Sequence, residues 1–110
     1  MKIYKVFWTE EAANDLNEII NFISRDRLLA AVHLYKNIKS KCQSLKTNPE
    51  RYRIVPELQR LSITNYREIV HSPYRIIYKL IGAGVYIITV VDSRRDFETF
   101  IFSRLLRKTV

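Results

Sequence analysis

The chain has 110 residues, of which 47% are hydrophobic and 27% are charged, with only 2 glycines and 3 prolines. That length suits one hydrophobic core, and the composition is typical of a packed domain, so we expect one domain over residues 1–110. No apolar run approaches the roughly 20 residues of a membrane span, and the N-terminus has no secretory leader. We therefore expect a cytoplasmic protein.

The charge is strongly positive and unevenly distributed. The chain has 19 lysines and arginines against 11 acidic residues, a net charge of +8. Residues 51–110 alone hold 11 basic and 5 acidic residues, and nine of those bases are arginines. Arginine binds phosphates and carboxylates through two parallel hydrogen bonds, so this half predicts contact with a polyanion or an acidic partner.

The first half predicts a strand followed by two helices. Lys2 to Trp8 is rich in β-branched and aromatic residues on both faces, which indicates a strand within a sheet. Thr9 then provides an N-cap, and the first helix carries one apolar stripe of Ala12, Leu16, Ile19, Ile20 and Ile23. A second stripe begins near Leu28 and continues to Leu45, and the short break between them favours an antiparallel hairpin.

The second half predicts three strands and a last helix. The strand-like runs are Tyr66–His71, Tyr74–Ile81 and Val85–Val91, separated by turns at 72–73 and 82–84. A final amphipathic segment covers Phe97 to Leu106, with Phe102 and Leu106 off its apolar stripe. The expected class is α+β: an N-terminal strand, a helical hairpin, three antiparallel strands in one sheet and a short C-terminal helix.

The usual signatures of hydrolases, kinases and metalloenzymes are missing, so we expect no cofactor and no metal. Cys42, the lone cysteine, is interpreted as a core residue. His71, at the end of a predicted strand, could act as an acid or a base, although a histidine at such a position is more often simply solvated.

Arginines at the sheet are the candidate functional residues. Period-two geometry places Arg75 and Lys79 on one face of the middle strand, which predicts a basic face. A guanidinium at Arg75 requires a counterion, either a bound anion or a structural ion pair with Glu68 or Asp92. Arg94 and Arg95 follow the last strand at a corner where side chains point outward, a position that favours anion or partner contact.

Several segments in a fixed order extend over nearly the whole chain: Trp8-Thr9, Ala12-x-x-Asp15-Leu16-x-x-Ile19, Leu45-x-x-x-Pro49, Tyr52-Arg53-x-Val55-Pro56-Glu57-Leu58, Tyr66-Arg67-Glu68-Ile69, Tyr74-Arg75-Ile76-Ile77-Tyr78 and Val90 to Phe97. Taken together, these segments resemble the RelE/ParE superfamily of toxins from type II toxin–antitoxin modules. The resemblance implies a small bacterial toxin of a plasmid-stabilisation or stress module, encoded beside an antitoxin that silences it.

The superfamily divides by mechanism. RelE-like members cleave mRNA on the ribosome, whereas ParE-like members poison DNA gyrase. Arg75 matches the arginine of the family's YRxxY strand, and Arg95 matches the arginine after the last strand. The second-strand lysines and the C-terminal tyrosine of the nucleases are absent, so we favour the ParE-like branch and leave enzymatic activity open.

The resemblance and the charge pattern together give the expected site. Target binding is assigned to Arg67, Arg75, Arg94 and Arg95, and antitoxin binding to Phe102 and Leu106. If the chain were RelE-like, Arg75 and Arg95 would be catalytic, with His71 or Tyr74 as acid or base. A third alternative is a non-toxic binding module derived from a toxin.

Overall fold

The computed structural model describes residues 2–107, with side chains through residue 105. Its strands form one four-stranded sheet in the order β1-β4-β3-β2, in which β1 runs parallel to β4 and the other neighbours are antiparallel. In chain order the helices and strands are β1 (Lys5–Trp8), α1 (Glu10–Ser24), α2 (Leu28–Gln43), α3 (Pro56–Gln59), β2 (Tyr66–His71), β3 (Tyr74–Ile81), β4 (Gly84–Asp92) and α4 (Phe97–Arg107). The expected α+β class and element order are confirmed.

The predicted helical hairpin is present on one face of the sheet. The Thr9 hydroxyl accepts a hydrogen bond from the Ala12 amide, which caps α1, and Glu10 and Glu11 follow in the first turn, where the helix dipole favours acidic groups. The stripes of α1 and α2 meet β2, β3 and β4 in the larger core cluster. Cys42 is fully buried there, as expected, and burial raises the pKa of its thiol to about 12.

The second face of the sheet is covered by α3 and α4. Val55 and Leu58 pack with Ile77 of β3 and with Phe97 and Ile101 of α4 in a smaller cluster. The long connection before β2 thus contains a short helix, and a backbone bridge from Ile54 to Arg67 attaches it to the sheet edge. The core therefore has two layers, one on each face of the sheet.

Three expectations at the element ends are wrong. The first strand begins at Lys5, and it is an edge strand because it pairs only with β4, which leaves Lys5 and Phe7 exposed. The second helix ends at Gln43 because a tight turn, Ser44–Lys46, carries Leu45 into the core. The final strand starts at Gly84 and continues through Asp92.

A β-bulge shifts the register between β3 and β4. Ile77 pairs with Thr89 but Tyr78 pairs with Ile87, so Ile88 is an additional residue on β4. Because β1 pairs only with residues 84–87, no described strand borders the later part of β4 on the side away from β3, and α1 lies beside it there through the hydrogen bond between Asp15 and Thr89. No helix within residues 2–107 is long and apolar enough to cross a membrane.

Candidate functional site

Arg75 lies inside the protein and is held by two carboxylates. Its Nε donates to Glu68 Oε1 at 2.7 Å, and its two terminal nitrogens donate to the Glu57 carboxylate at 3.0 and 2.7 Å. The guanidinium carbon is 3.7 Å from the centre of the Phe97 ring. Only 8% of the residue is exposed. Of the two alternatives for Arg75, the structure therefore has the internal ion pair, with Glu57 as an additional partner.

The Glu57 carboxylate beside Arg75 is stabilised in its charged form. Hydrogen bonds from Arg75 hold the pKa of Glu57 below its usual value, against the opposing effect of burial. Burial opposes the charge of Arg75, but the hydrogen bonds to Glu57 and Glu68 outweigh it and raise the Arg75 pKa. Glu68 also accepts a hydrogen bond from Arg53 at 2.6 Å. The face predicted to be basic is thus neutralised at its centre.

Arg67 lies apart from the other predicted target-binding arginines. Its guanidinium donates to the Tyr52 carbonyl at 2.7 Å. It lines a cavity of about 160 Å³ together with Lys79 and Glu50. The structure therefore does not bring Arg67 together with Arg94 and Arg95.

Arg94 and Arg95 lie together at the corner after β4, as expected. Arg94 pairs with Asp92 at 2.6 Å, yet its side chain is 71% exposed. Arg95 is also exposed, with its guanidinium 5.5 Å from the Phe100 ring centre, and no ion pair with a carboxylate is present for it among the described residues. Both arginines line one open groove of about 500 Å³, called here the arginine groove, with Glu18, Ile19, Phe22, Ile23, Tyr74 and Asp92.

The arginine groove combines an apolar floor with charged walls. Phe22 of α1 is 70% exposed, an unusual position for a phenylalanine on a surface helix. Tyr74 completes the floor from the start of β3. Such a groove can hold an apolar side chain of a partner while Arg95 binds a carboxylate or a phosphate nearby. Phe22 lies off the apolar stripe of α1, and this position was an available signal for the floor.

Of the two candidate acid–base residues, Tyr74 lines the arginine groove but is a poor base, whereas His71 could accept a proton but is not among the residues that line the groove. Burial, with a smaller effect of Asp92, raises the pKa of Tyr74, so its hydroxyl stays protonated. Burial and the nearby Lys41 lower the pKa of His71, so its imidazole is neutral. His71 pairs directly with Tyr74 across the β2–β3 turn but is not among the residues that line the groove.

The expected antitoxin contacts on α4 are only partly described. Phe102 is half-buried, because it packs against the smaller core cluster rather than projecting from α4. The side chain of Leu106 lies outside the described residues. The exposed patch predicted on this helix is therefore not formed by Phe102.

A larger apolar surface, missed from the sequence, lies on α2. Leu28, Leu29, Val32 and Tyr35 are exposed by 65%, 76%, 37% and 38%. Val32 lies four residues after Leu28 and three after Leu29, and Tyr35 lies three residues after Val32, so the four side chains form one exposed ridge, called here the α2 ridge. The three- and four-residue spacing of these apolar residues was the signal in the sequence that could have revealed the ridge. Adjoining exposed apolar side chains are typical of surfaces that bind other proteins.

Solved structures with this fold include two from toxin–antitoxin systems. One, described as the chromosomal ParDE TA system from P. aeruginosa, has a TM-score of 0.69 and 16% identity, over 84% of this chain and 98% of that chain. Another, the toxin–antitoxin complex RelBE2 from Mycobacterium tuberculosis, has a TM-score of 0.56 and 22% identity, over 84% of this chain and 93% of that chain. The chain thus has a fold found in toxin–antitoxin systems.

A family model for the ParE toxin of the type II toxin–antitoxin system parDE matches residues 6–97. The chain belongs to this family, which confirms the resemblance and the preference for its ParE-like branch. No curated protein matches the chain.

Proposed function

We propose that this ParE-type toxin arrests bacterial growth by binding DNA gyrase and that a cognate antitoxin neutralises it. The observation that carries this proposal is the internal ion pair of Arg75. A guanidinium that already binds Glu57 and Glu68 and is 8% exposed has no capacity to hold the phosphate of a substrate. The strand arginine that an mRNA endonuclease would need is therefore used to hold the fold.

The acid–base groups support the same conclusion. A ribonuclease that uses the 2′-hydroxyl as nucleophile needs a group that removes its proton. Tyr74 has a raised pKa, and His71 is not among the groove residues. Binding to a protein target needs no such group, and the arginine groove provides both apolar and charged contacts for it.

Induced expression in a bacterial host tests the proposed target. We expect DNA breaks, induction of the SOS response and loss of plasmid supercoiling before protein synthesis falls. Rapid translation arrest with cut messages would instead identify an mRNA endonuclease. Unchanged colony counts would identify a non-toxic binding module.

Arg95→Ala is expected to relieve growth inhibition without affecting the fold. A charge-assisted contact contributes about 1.5–3 kcal/mol, so its loss weakens target binding by roughly 10- to 150-fold. Growth curves and thermal melts of the same variant provide the measurement. Arg25→Ala, which removes an exposed arginine at the end of α1, is the matched control and should remain toxic. Equal toxicity of both variants would show that Arg95 does not contact the target.

The α2 ridge is the surface we assign to the antitoxin. Its four apolar residues lie on a domain of net charge +8, so an acidic partner with an apolar face would match both properties. Ions in solution screen long-range electrostatic attraction, so an acidic partner should associate faster at low salt than at high salt. The antitoxin should therefore be an acidic amphipathic segment.

Co-expression with the adjacent gene is expected to raise the soluble yield of the chain, because the partner covers the α2 ridge. Leu29→Ser should weaken the complex and improve the solubility of the free chain. Leu61→Ser, which changes an exposed leucine outside α2, serves as the control. Copurification at two salt concentrations gives the result. A complex that is insensitive both to Leu29→Ser and to salt would contradict this assignment.

A further inference from the structure

Four side chains form a transverse row across all four strands. Phe7 of β1 pairs with Tyr86 of β4, Tyr86 pairs with Lys79 of β3, and Lys79 pairs with Tyr66 of β2. Residues directly opposite one another lie on the same face of a sheet. With neighbouring strands about 4.8 Å apart, the row is roughly 14 Å long. We refer to these four residues as the aromatic row.

The rings of the aromatic row are arranged for stacking. Phe7 and Tyr86 stack on one another with centres 5.0 Å apart and planes inclined by 20°. Gly84 makes this arrangement possible, because a Cβ there would lie 2.8 Å from one Tyr86 ring atom and 3.3 Å from one Phe7 ring atom. Phe7 remains 42% exposed. The Lys79 ammonium lies 5.5 Å from the Tyr66 ring centre at the other end of the row.

Tyr66 and Tyr86 are half-buried against the smaller core cluster, so Phe7 is the exposed ring of the row, and the charged residues beside it are lysines. Helix α4 and the smaller core cluster cover the other end of this sheet face, where Ile77, Ile88 and Val91 lie. The adjoining row consists of Lys5, Gly84 and Ile81, so the two rows together hold two lysines and no carboxylate. A single carboxylate, Glu50, lines the cavity beside Lys79, and Arg67 lines the same cavity.

We propose that the aromatic row binds an unpaired strand of nucleic acid. An exposed ring beside cations on a sheet is a recurring means of binding single strands, because every base has a face that can stack on a ring. A base would stack on Phe7, whose ring is supported by the half-buried Tyr86, and the ammonium groups of Lys5 and Lys79 would contact phosphates. A duplex hides its base faces and should bind more weakly. This activity is binding without cleavage, and it is independent of the growth-arrest target.

Fluorescence anisotropy of the full chain with labelled 12-nucleotide probes tests the proposal. The probes are DNA and RNA single strands of mixed sequence and the corresponding DNA duplex, and the stronger of the two single-strand signals identifies the natural source. We expect tighter binding of a single strand than of the duplex. Phe7→Leu should weaken binding about fivefold or more, since one stacking platform is lost. Lys79→Gln should lower the slope of log affinity against log salt by about 0.7.

Matched variants outside the row distinguish binding at this site from general electrostatic attraction and from the effects of misfolding. Phe22→Leu replaces an exposed phenylalanine on α1, and Lys36→Gln removes an exposed lysine of α2, which packs on the opposite face of the sheet. Both should bind the probes like the unaltered chain, and melting curves should show that all four variants fold. Equal weakening by the controls, or duplex binding as tight as single-strand binding, would overturn the proposal. It would also be overturned if no probe bound while Phe7→Leu weakened antitoxin binding, since the row would then be a protein-binding surface.

Discussion

Arg75→Ala is expected to reduce the free energy of unfolding by about 3–5 kcal/mol, because it leaves the fully buried Glu68 without its internal cation. It also removes the guanidinium from the face of Phe97 and from Glu57. Denaturant unfolding monitored by circular dichroism measures the change. Arg60→Ala is the control, since Arg60 and its partner Glu98 are 69% and 62% exposed and the pair should contribute at most about 1 kcal/mol.

A variant that removes both charges refines this expectation. Arg75→Met combined with Glu68→Gln should be more stable than Arg75→Met alone, because no charge of that pair is left buried. If Arg75→Ala melted like the unaltered chain and abolished toxicity, Arg75 would instead be a target-binding residue.

The same cluster predicts a loss of stability in acid. The pKa of Glu57 is lower in the folded chain than its usual value of 4.5, so the folded state holds the charged form more strongly. This contribution is fully present above pH 4.5 and is lost as the pH falls through the folded value. Glu57→Gln should therefore be destabilised at neutral pH and should show a weaker dependence on pH below 4.5.

Asp15→Ala is expected to have the second large effect on stability, about 3 kcal/mol or more. Asp15 of α1 accepts hydrogen bonds from Arg104 of α4 at 2.9 and 3.1 Å and from the Thr89 hydroxyl at 2.6 Å. Arg104 is 7% exposed and Thr89 is fully buried, so both would lose a partner where water cannot replace it. Thermal unfolding measures the effect.

Glu18→Ala removes an exposed carboxylate from the same helix, one turn later, and should change the melting temperature little. Equal melting curves for the two variants would show that Asp15 does not hold α4 against α1 and β4.

Local patterns account for the parts of the fold that were predicted. The stripe of α1, its Thr9 cap and the alternation along β3 depend on residues close in sequence, so each appears directly in the pattern. The edge position of β1 depends on its pairing with β4, which is distant in the chain: Lys5 pairs with Gly84. No local sequence pattern contains this information. The apolar residues of β1 fitted an inner strand equally well.

In the candidate site too, features set by residues close in sequence were predicted and features set by distant contacts were not. Arg94 and Arg95 were correctly placed at the corner after β4, because that position follows from the end of a strand. The partners of Arg75 could be predicted only in part, since Glu68 lies on the neighbouring strand but Glu57 arrives from the long connection. The α2 ridge was missed because an exposed apolar stripe differs from a buried one only in what packs against it.

A supercoiling assay with purified gyrase, relaxed plasmid and ATP tests the proposed function most directly. We expect the chain to inhibit supercoiling and to cause accumulation of cleaved plasmid, and we expect Arg95→Ala to require a roughly 10-fold or higher concentration for the same effect. Addition of the antitoxin should restore supercoiling. The assignment of gyrase as the target would be contradicted if gyrase supercoiled the plasmid normally in the presence of the folded chain and the same chain cut ribosome-bound mRNA in a parallel translation reaction.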